Sequence, residues 1–156
     1  MTDAPLWTIA PFLGLVFLAS LTGGVFRPGE WYKQLDKPSW TPPDFLFPIA
    51  WGLLYVLMAY AAWRVWDIAG IGPALVIWGV QLVLNAGWSA VFFGLKKPGL
   101  ALAELVALWI AVALNIWAFA QIDTLAAWLL TAYIAWVSFA GVLNAEIVRR
   151  ARTAPA

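Results

Sequence analysis

Gln81, Asn85 and Ser89 recur at every fourth position of an otherwise apolar stretch, with Trp88 and Phe92 beside them. That spacing puts two amides and a hydroxyl on one face of a helix. Such a row can hydrogen-bond neighbouring helices, the commoner use of buried Asn and Gln, or it can line a cavity and hold a ligand's polar atoms. Two further rows have the same character. Trp51, Tyr55 and Met58 share one helical face, and Tyr133, Trp136, Ala140 and Asn144 share another. None of the rows contains a conventional acid–base set. The chain has no Cys and no His, which removes thiolate and imidazole metal ligands, Cys nucleophiles, disulfides and any Ser-His-Asp arrangement. No metal site and no required cofactor are expected. The chemistry on offer is hydrogen bonding and aromatic stacking.

The elements that position these rows follow from composition. Of 156 residues, 64% are hydrophobic and 11% are charged, against about 25% charged in soluble domains. A chain of this size cannot bury so much apolar surface by itself, so a lipid bilayer is the expected solvent. A spanning helix needs about 20 largely apolar residues. Five segments meet that demand: Leu6–Phe26, Phe45–Trp66, Pro73–Phe93, Gly99–Gln121 and Thr124–Val148. Their continuous Leu- and Ala-rich runs lack the period-two alternation of a barrel wall. The expected fold is an all-α integral membrane bundle of five transmembrane helices, a single domain over residues 1–156, with a short frayed tail over Ala151–Ala156. Met1–Pro5 carries Asp3 and no Lys or Arg, so no cleaved signal is expected. A net charge of +1 gives no case for nucleic acid.

Orientation follows from the basic residues. Arg27, Lys33, Lys37, Lys96, Lys97, Arg149, Arg150 and Arg152 fall on one side of such a bundle, and Arg64 alone on the other. The positive-inside rule puts the long first loop and the C-terminus in the cytoplasm and the N-terminus outside, as in a bacterial inner membrane, with an outer membrane left open.

Tryptophan near a span's end usually marks the interfacial belt, which accounts for Trp7, Trp63, Trp66, Trp117 and Trp128. Trp51 and Trp136 lie deeper, where an indole N–H must find a partner or stay unpaired in a dry medium. Glu104 is expected to pair with Lys96 or Lys97 or to make a contact within the bundle. Small residues at Ala103, Ala107 and Ala111, and at Gly79, Ala86, Gly87 and Ala90, allow close helix approach within the bundle or between two copies, and a homodimer is the expectation. The first loop holds Trp31, Tyr32, Trp40 and the prolines Pro38, Pro42 and Pro43, with Pro48 just inside the second span. Its stiffened backbone suits a pre-ordered lid over the helix ends.

Trp31-Tyr32, Lys37-Pro38-Ser39-Trp40-Thr41-Pro42-Pro43 and Phe47 through Tyr55 together resemble the signature of the TspO/MBR family. These are the tryptophan-rich sensory proteins of bacteria and the mitochondrial translocator protein, or peripheral-type benzodiazepine receptor. The likeness continues in Leu84-Asn85-Ala86-Gly87-Trp88, in Phe92-Phe93-Gly94, and from Trp136 to Asn144. The resemblance implies a five-helix bundle that binds tetrapyrroles such as protoporphyrin IX and haem, and synthetic isoquinoline or benzodiazepine ligands, beneath the first loop. Carried over by position, the pocket would draw on Tyr32, Trp40, Pro42, Trp51, Tyr55, Asn85, Phe92, Trp136 and Ala140. It also implies that Trp51 and Trp136 would be the essential tryptophans of a light-dependent porphyrin breakdown. The family's eukaryotic cholesterol motif has a tyrosine where Leu143-Asn144-Ala145 places alanine, although Arg149 remains, so cholesterol is not the expected ligand.

Only Tyr or Met could ligate haem iron strongly from this chain, so metal-free porphyrin should bind about as well as haem. The expected function is capture of tetrapyrroles as a sensor, regulator or scavenger. The alternatives are a photo-oxidative porphyrin-degrading enzyme and a transporter. The last gains little from a chain without broken mid-span helices or paired intramembrane charges.

Overall fold

Proline and glycine set the limits of the helices. The computed structural model describes residues 3–153. A 3₁₀ turn, Leu6–Ile9, runs into α1 (Ala10–Val25). The first loop contains α2 (Glu30–Gln34) and leads to α3 (Leu46–Ala69). Gly70 ends α3 with φ +70°, a left-handed conformation that favours glycine. Pro73 and Pro98 open α4 (Pro73–Ser89) and α5 (Pro98–Ala120), where a missing N–H costs nothing. One π-helical turn, Ala90–Gly94, prolongs α4. α6 covers Thr124–Thr153, and Asp123 Oδ1 caps it by accepting from Leu125 N at 3.1 Å.

Among the described residues five helices are long and apolar enough to cross a membrane: Leu6–Val25, Leu46–Ala69, Pro73–Gly94, Pro98–Ala120 and Thr124–Thr153. Their limits differ from the expected spans by a few residues, and most at the C-terminal end. There the helix persists beyond Val148 because Glu146 holds Arg149 at 2.7 Å and Arg150 at 2.8 Å, three and four residues on. Ala151–Thr153 are helical rather than frayed, and residues 154–156 of the expected tail lie outside the described residues.

The spans close a ring in the order α1, α3, α6, α5, α4. Short links make chain neighbours antiparallel, yet α6 also reaches α3 and so encloses a central space. Helix-to-helix hydrogen bonds pin the ring. Asn115 Nδ2 donates to Ala74 O at 3.2 Å between α5 and α4, and Asn144 Nδ2 to Pro98 O at 2.8 Å between α6 and α5. Among the described residues Glu104 makes no ion pair with Lys96 or Lys97, and of the two expected roles it takes the contact within the bundle. Its carboxylate enters a notch at Gly87, where a Cβ would collide with Glu104 Oε1. Lys96 sits instead in the tight α4–α5 turn, with φ +56°.

The end of the bundle away from the first loop is tied shut. Arg64 of α3 pairs with Asp123, and both side chains are largely shielded at 15% and 10% exposed. Asp67 accepts backbone N–H bonds from Asp3 and Ala4 at 2.8 and 3.0 Å. Trp63 is buried rather than interfacial, because its indole donates to Thr8 Oγ1 at 2.8 Å beneath the N-terminal segment. Trp7, Trp117 and Trp128 are exposed, as interfacial residues are. Hydrogen bonding from Arg64 holds the Asp123 carboxyl below its ordinary value of 3.8. A depressed folded pKa means stability that is present above the unfolded value and is lost as pH falls through the folded one. Asp123→Asn is therefore expected to lower stability by about 1–2 kcal/mol at neutral pH, between the values for exposed and buried pairs. Thermal melts in detergent micelles should show wild type and variant converging below about pH 4.

Candidate functional site

The ring does not fill its own centre at the loop end. A cavity of about 770 Å³ opens there, within the roughly 300–1,000 Å³ usual for small-molecule sites. All five spans and the first loop line it. α1 contributes Ser20 and the bare backbone of Gly23 and Gly24, and α3 contributes Phe47, Trp51 and Tyr55. Asn85, Trp88, Ser89, Phe92 and Phe93 come from α4 and its π turn, and Leu105 and Leu108 from α5. α6 supplies Val137, Ala140 and Asn144. Its walls are mainly apolar and aromatic, with a few polar groups spread among them.

The polar row on α4 divides between the two roles open to it. Gln81 lies fully buried beneath the cavity against Met58, with Nε2 3.7 Å from the thioether sulfur, and serves packing. Asn85 does both jobs. Tyr55 Oη donates to its Oδ1 at 2.6 Å, its Nδ2 donates to Tyr133 Oη at 2.9 Å, and the same residue lines the cavity. This three-residue chain joins α3, α4 and α6 under the cavity and fixes the Tyr55 ring. Ser89 reaches the cavity opposite Gly23, where its hydroxyl would lie 3.8 Å from an added Cβ.

The first loop covers the ring as a lid. Tyr32 is buried between Phe92 and Phe93, at ring-centroid distances of 6.3 and 5.5 Å, and Trp31 meets Phe92 edge-on at 5.7 Å. Two adjacent phenylalanines can both meet the lid because the π turn alters the usual 100° step between neighbours. Burial, with a smaller contribution from the Asp44 charge, pushes the Tyr32 phenol up to about 12, so it stays neutral at any physiological pH. Arg150 Nη1 reaches Asp36 at 3.1 Å and ties the end of α6 to the lid. The lid's cations differ in availability. Lys33 pairs with Glu30 at 2.7 Å, and Lys37 Nζ donates to Tyr32 O at 2.6 Å above the Tyr32 ring. Arg27 lines the cavity, and among the described residues only its Nε is engaged, donating to Gly24 O at 2.7 Å.

Of the nine residues carried over by resemblance, Tyr32, Trp51, Tyr55, Asn85, Phe92 and Ala140 meet around this cavity. Trp40, Pro42 and Trp136 are not among its lining residues. Trp40 packs on Phe139 at 5.9 Å, on the outer side of α6, and Pro42 sits in the loop that enters α3. Trp136 stands behind Trp51, edge-on at 6.4 Å, and faces a shallow groove between α3 and α6. Its neighbour Val137 takes the cavity-facing position. Ser20, Gly23, Gly24, Leu105 and Leu108 escaped sequence reasoning, because a serine, small residues and leucines carry no functional signal in an apolar span. Among the described residues no cluster of three or more His, Cys, Asp or Glu is placed to hold a metal ion.

Comparison with known proteins agrees with this architecture. The chain is 44% identical over 142 residues to the tryptophan-rich sensory protein of Cereibacter sphaeroides, covering 88% of this chain and 90% of the relative. It is 40% identical over 149 residues to the tryptophan-rich protein TspO of Chlorobaculum tepidum, covering 91% and 94%. The human translocator protein is 38% identical over 152 residues, covering 90% and 89%. The family profile described as TspO/MBR matches residues 10–150. With five apolar spans, an aromatic lid and likeness along nearly its whole length, this integral membrane protein belongs to the TspO/MBR family.

Proposed function

We propose that the protein captures tetrapyrroles, protoporphyrin IX and haem among them, and related flat apolar ligands in the cavity beneath the first loop, as a sensor, regulator or scavenger. The observation that carries this reading is the cavity of about 770 Å³ with Trp51 and Tyr55 in one wall and the Arg27 guanidinium at the lid. Trp51 and Tyr55 lie 5.8 Å apart and tilted by 32°, a broad aromatic surface for a macrocycle. Arg27 supplies the charge for a ligand carboxylate. In the cell the lid and C-terminus face the cytoplasm, and two copies pair in the membrane.

Titration of the detergent-solubilised protein with protoporphyrin IX, read by tryptophan fluorescence, tests the reading. Wild type should be quenched on binding, and Trp51→Phe should lose both affinity and quenching. Arg27→Ala should weaken binding roughly five- to tenfold, about 1 kcal/mol for a charge-assisted bond at a wet rim. The dimethyl ester of the same porphyrin should be indifferent to Arg27→Ala. Equal affinity of wild type and Trp51→Phe for protoporphyrin IX would reject this cavity as the site.

A photo-oxidative enzyme is the second reading, and the edge-on contact of Trp51 and Trp136 at 6.4 Å favours it. Protoporphyrin IX that binds yet keeps its absorbance under light and oxygen would remove it.

A further inference from the structure

From Trp51 the aromatic contacts continue outward. Trp51 meets Trp136 at 6.4 Å, Trp136 meets Phe139 at 5.5 Å, and Phe139 meets Trp40 at 5.9 Å. One end of the row lines the cavity, and the other lies in the first loop outside the spans, 47% exposed. We infer that this row is a one-electron relay that drains oxidising equivalents from a photo-excited ligand in the cavity to Trp40 at the membrane surface. The inference rests on the tetrapyrrole reading above.

The direction comes from the environment of each indole. Trp136 Nε1 is buried and has no hydrogen-bond partner among the described residues. An indole radical cation loses its N–H proton readily, but only to an acceptor, and this one has none. Formed there, the cation keeps its proton and its charge in a dry medium, where charge is costly. It therefore remains a strong oxidant and takes an electron from Trp40 across the intervening Phe139 ring, which is too hard to oxidise to carry the charge itself. Trp40 differs because water can solvate its cation and accept its proton. Loss of that proton traps the oxidising equivalent at the surface and makes the transfer directional.

The electrons balance as follows. The excited porphyrin gives one electron to dioxygen, which becomes superoxide, and the porphyrin is left as a radical cation. Trp51 restores the porphyrin with one electron, Trp136 restores Trp51, and Trp40 restores Trp136. Trp40 then releases its indole proton to water and persists as a neutral radical. A hydrogen-atom donor of the membrane, a phenol or quinol, returns it to tryptophan. The net change is one donor oxidised by a hydrogen atom, one dioxygen reduced to superoxide and one proton released. Porphyrin and protein end unchanged, so the relay protects both from light.

The test uses the full-length protein in detergent, loaded with protoporphyrin IX and illuminated with a cobalt(III) pentaammine complex as irreversible electron acceptor. Oxidised tryptophans are then mapped by peptide mass spectrometry. Binding is measured first by fluorescence quenching. Absence of binding in wild type would defeat the tetrapyrrole reading itself, whereas binding without relay would defeat only this inference. Wild type should accumulate its product at Trp40, and only when porphyrin is bound. Trp136→Phe should lose most of the Trp40 product and shift damage to Trp51 and to the porphyrin. Trp40→Phe, altered outside the cavity lining, should bind with unchanged affinity and bleach its porphyrin severalfold faster. Undiminished Trp40 oxidation in Trp136→Phe would mean direct attack from solution and overturn the relay. So would product at Trp31, reached through Trp88 and Phe92, in place of Trp40, or no tryptophan product at all.

Discussion

Asn85→Leu is expected to destabilise the bundle by about 2–4 kcal/mol, because it strips the partner from two hydroxyls at once. Asn85 accepts from Tyr55 Oη and donates to Tyr133 Oη, and Tyr133 is 1% exposed. Tyr55 borders the cavity and can turn to water or ligand, but Tyr133 has no such recourse. Most of the penalty therefore belongs to the stranded Tyr133 hydroxyl. The double variant Asn85→Leu/Tyr133→Phe should recover a large part of the loss, since an apolar pair leaves no buried group unsatisfied. Denaturant titration in mixed micelles measures both. Porphyrin affinity should fall as well, because the Tyr55 ring is no longer held beside Trp51. A loss below about 1 kcal/mol in the single variant would show that the three-residue chain contributes no more than an average interhelical hydrogen bond.

Gly94→Ala is expected to be nearly as damaging, although it adds one methyl group. A Cβ at Gly94 would stand 2.7 Å from Cδ1 and 2.9 Å from Cε1 of Phe26. An aromatic ring cannot fold aside as a flexible chain end can, so either α1 or the π turn must move. Overpacking of this kind costs about 1–3 kcal/mol. Phe26 lines the cavity and Gly94 closes the turn that brings Phe92 and Phe93 to the lid, so the strain falls on the binding site. Porphyrin binding should weaken even in micelles where the protein stays folded. Gly94→Ala/Phe26→Ala should restore folding relative to Gly94→Ala alone, at the cost of a larger cavity mouth. Failure of the second change to relieve the first would place the strain elsewhere in the α4–α5 turn.

The Gly94 and Asn85 contacts differ in how far the sequence reveals them. The row Gln81, Asn85, Ser89 announces a polar face, and both of its uses are visible in advance. Which residue takes which use depends on how deep the cavity reaches, and that is decided by the packing of five helices. Asn115 shows the opposite case: one amide in a long apolar span, with no periodic companion to mark it, joins α5 to α4. Glu104 carries a charge that invites pairing with the nearby lysines, yet helix rotation turns it toward Gly87. The three cations of the lid look equivalent in sequence, and only local hydrogen bonds commit Lys33 and Lys37 elsewhere and leave Arg27 at the cavity.

By itself the sequence determined the five spans, the all-helical bundle and the family. These are properties of local composition: a bilayer forces every backbone polar group into helical hydrogen bonds, and proline, glycine and charge end each helix where the chain leaves the lipid. Tertiary structure alone decided which side chains meet. One residue along a helix is a 100° turn, so a small rotation of α6 set by its packing on α3 and α5 puts Val137 at the cavity and Trp136 behind Trp51. The π turn of α4 is another such decision, bringing Phe92 and Phe93 together under Tyr32. Rotation and register arise from the sum of contacts around the whole ring, and no single stretch of sequence contains that sum.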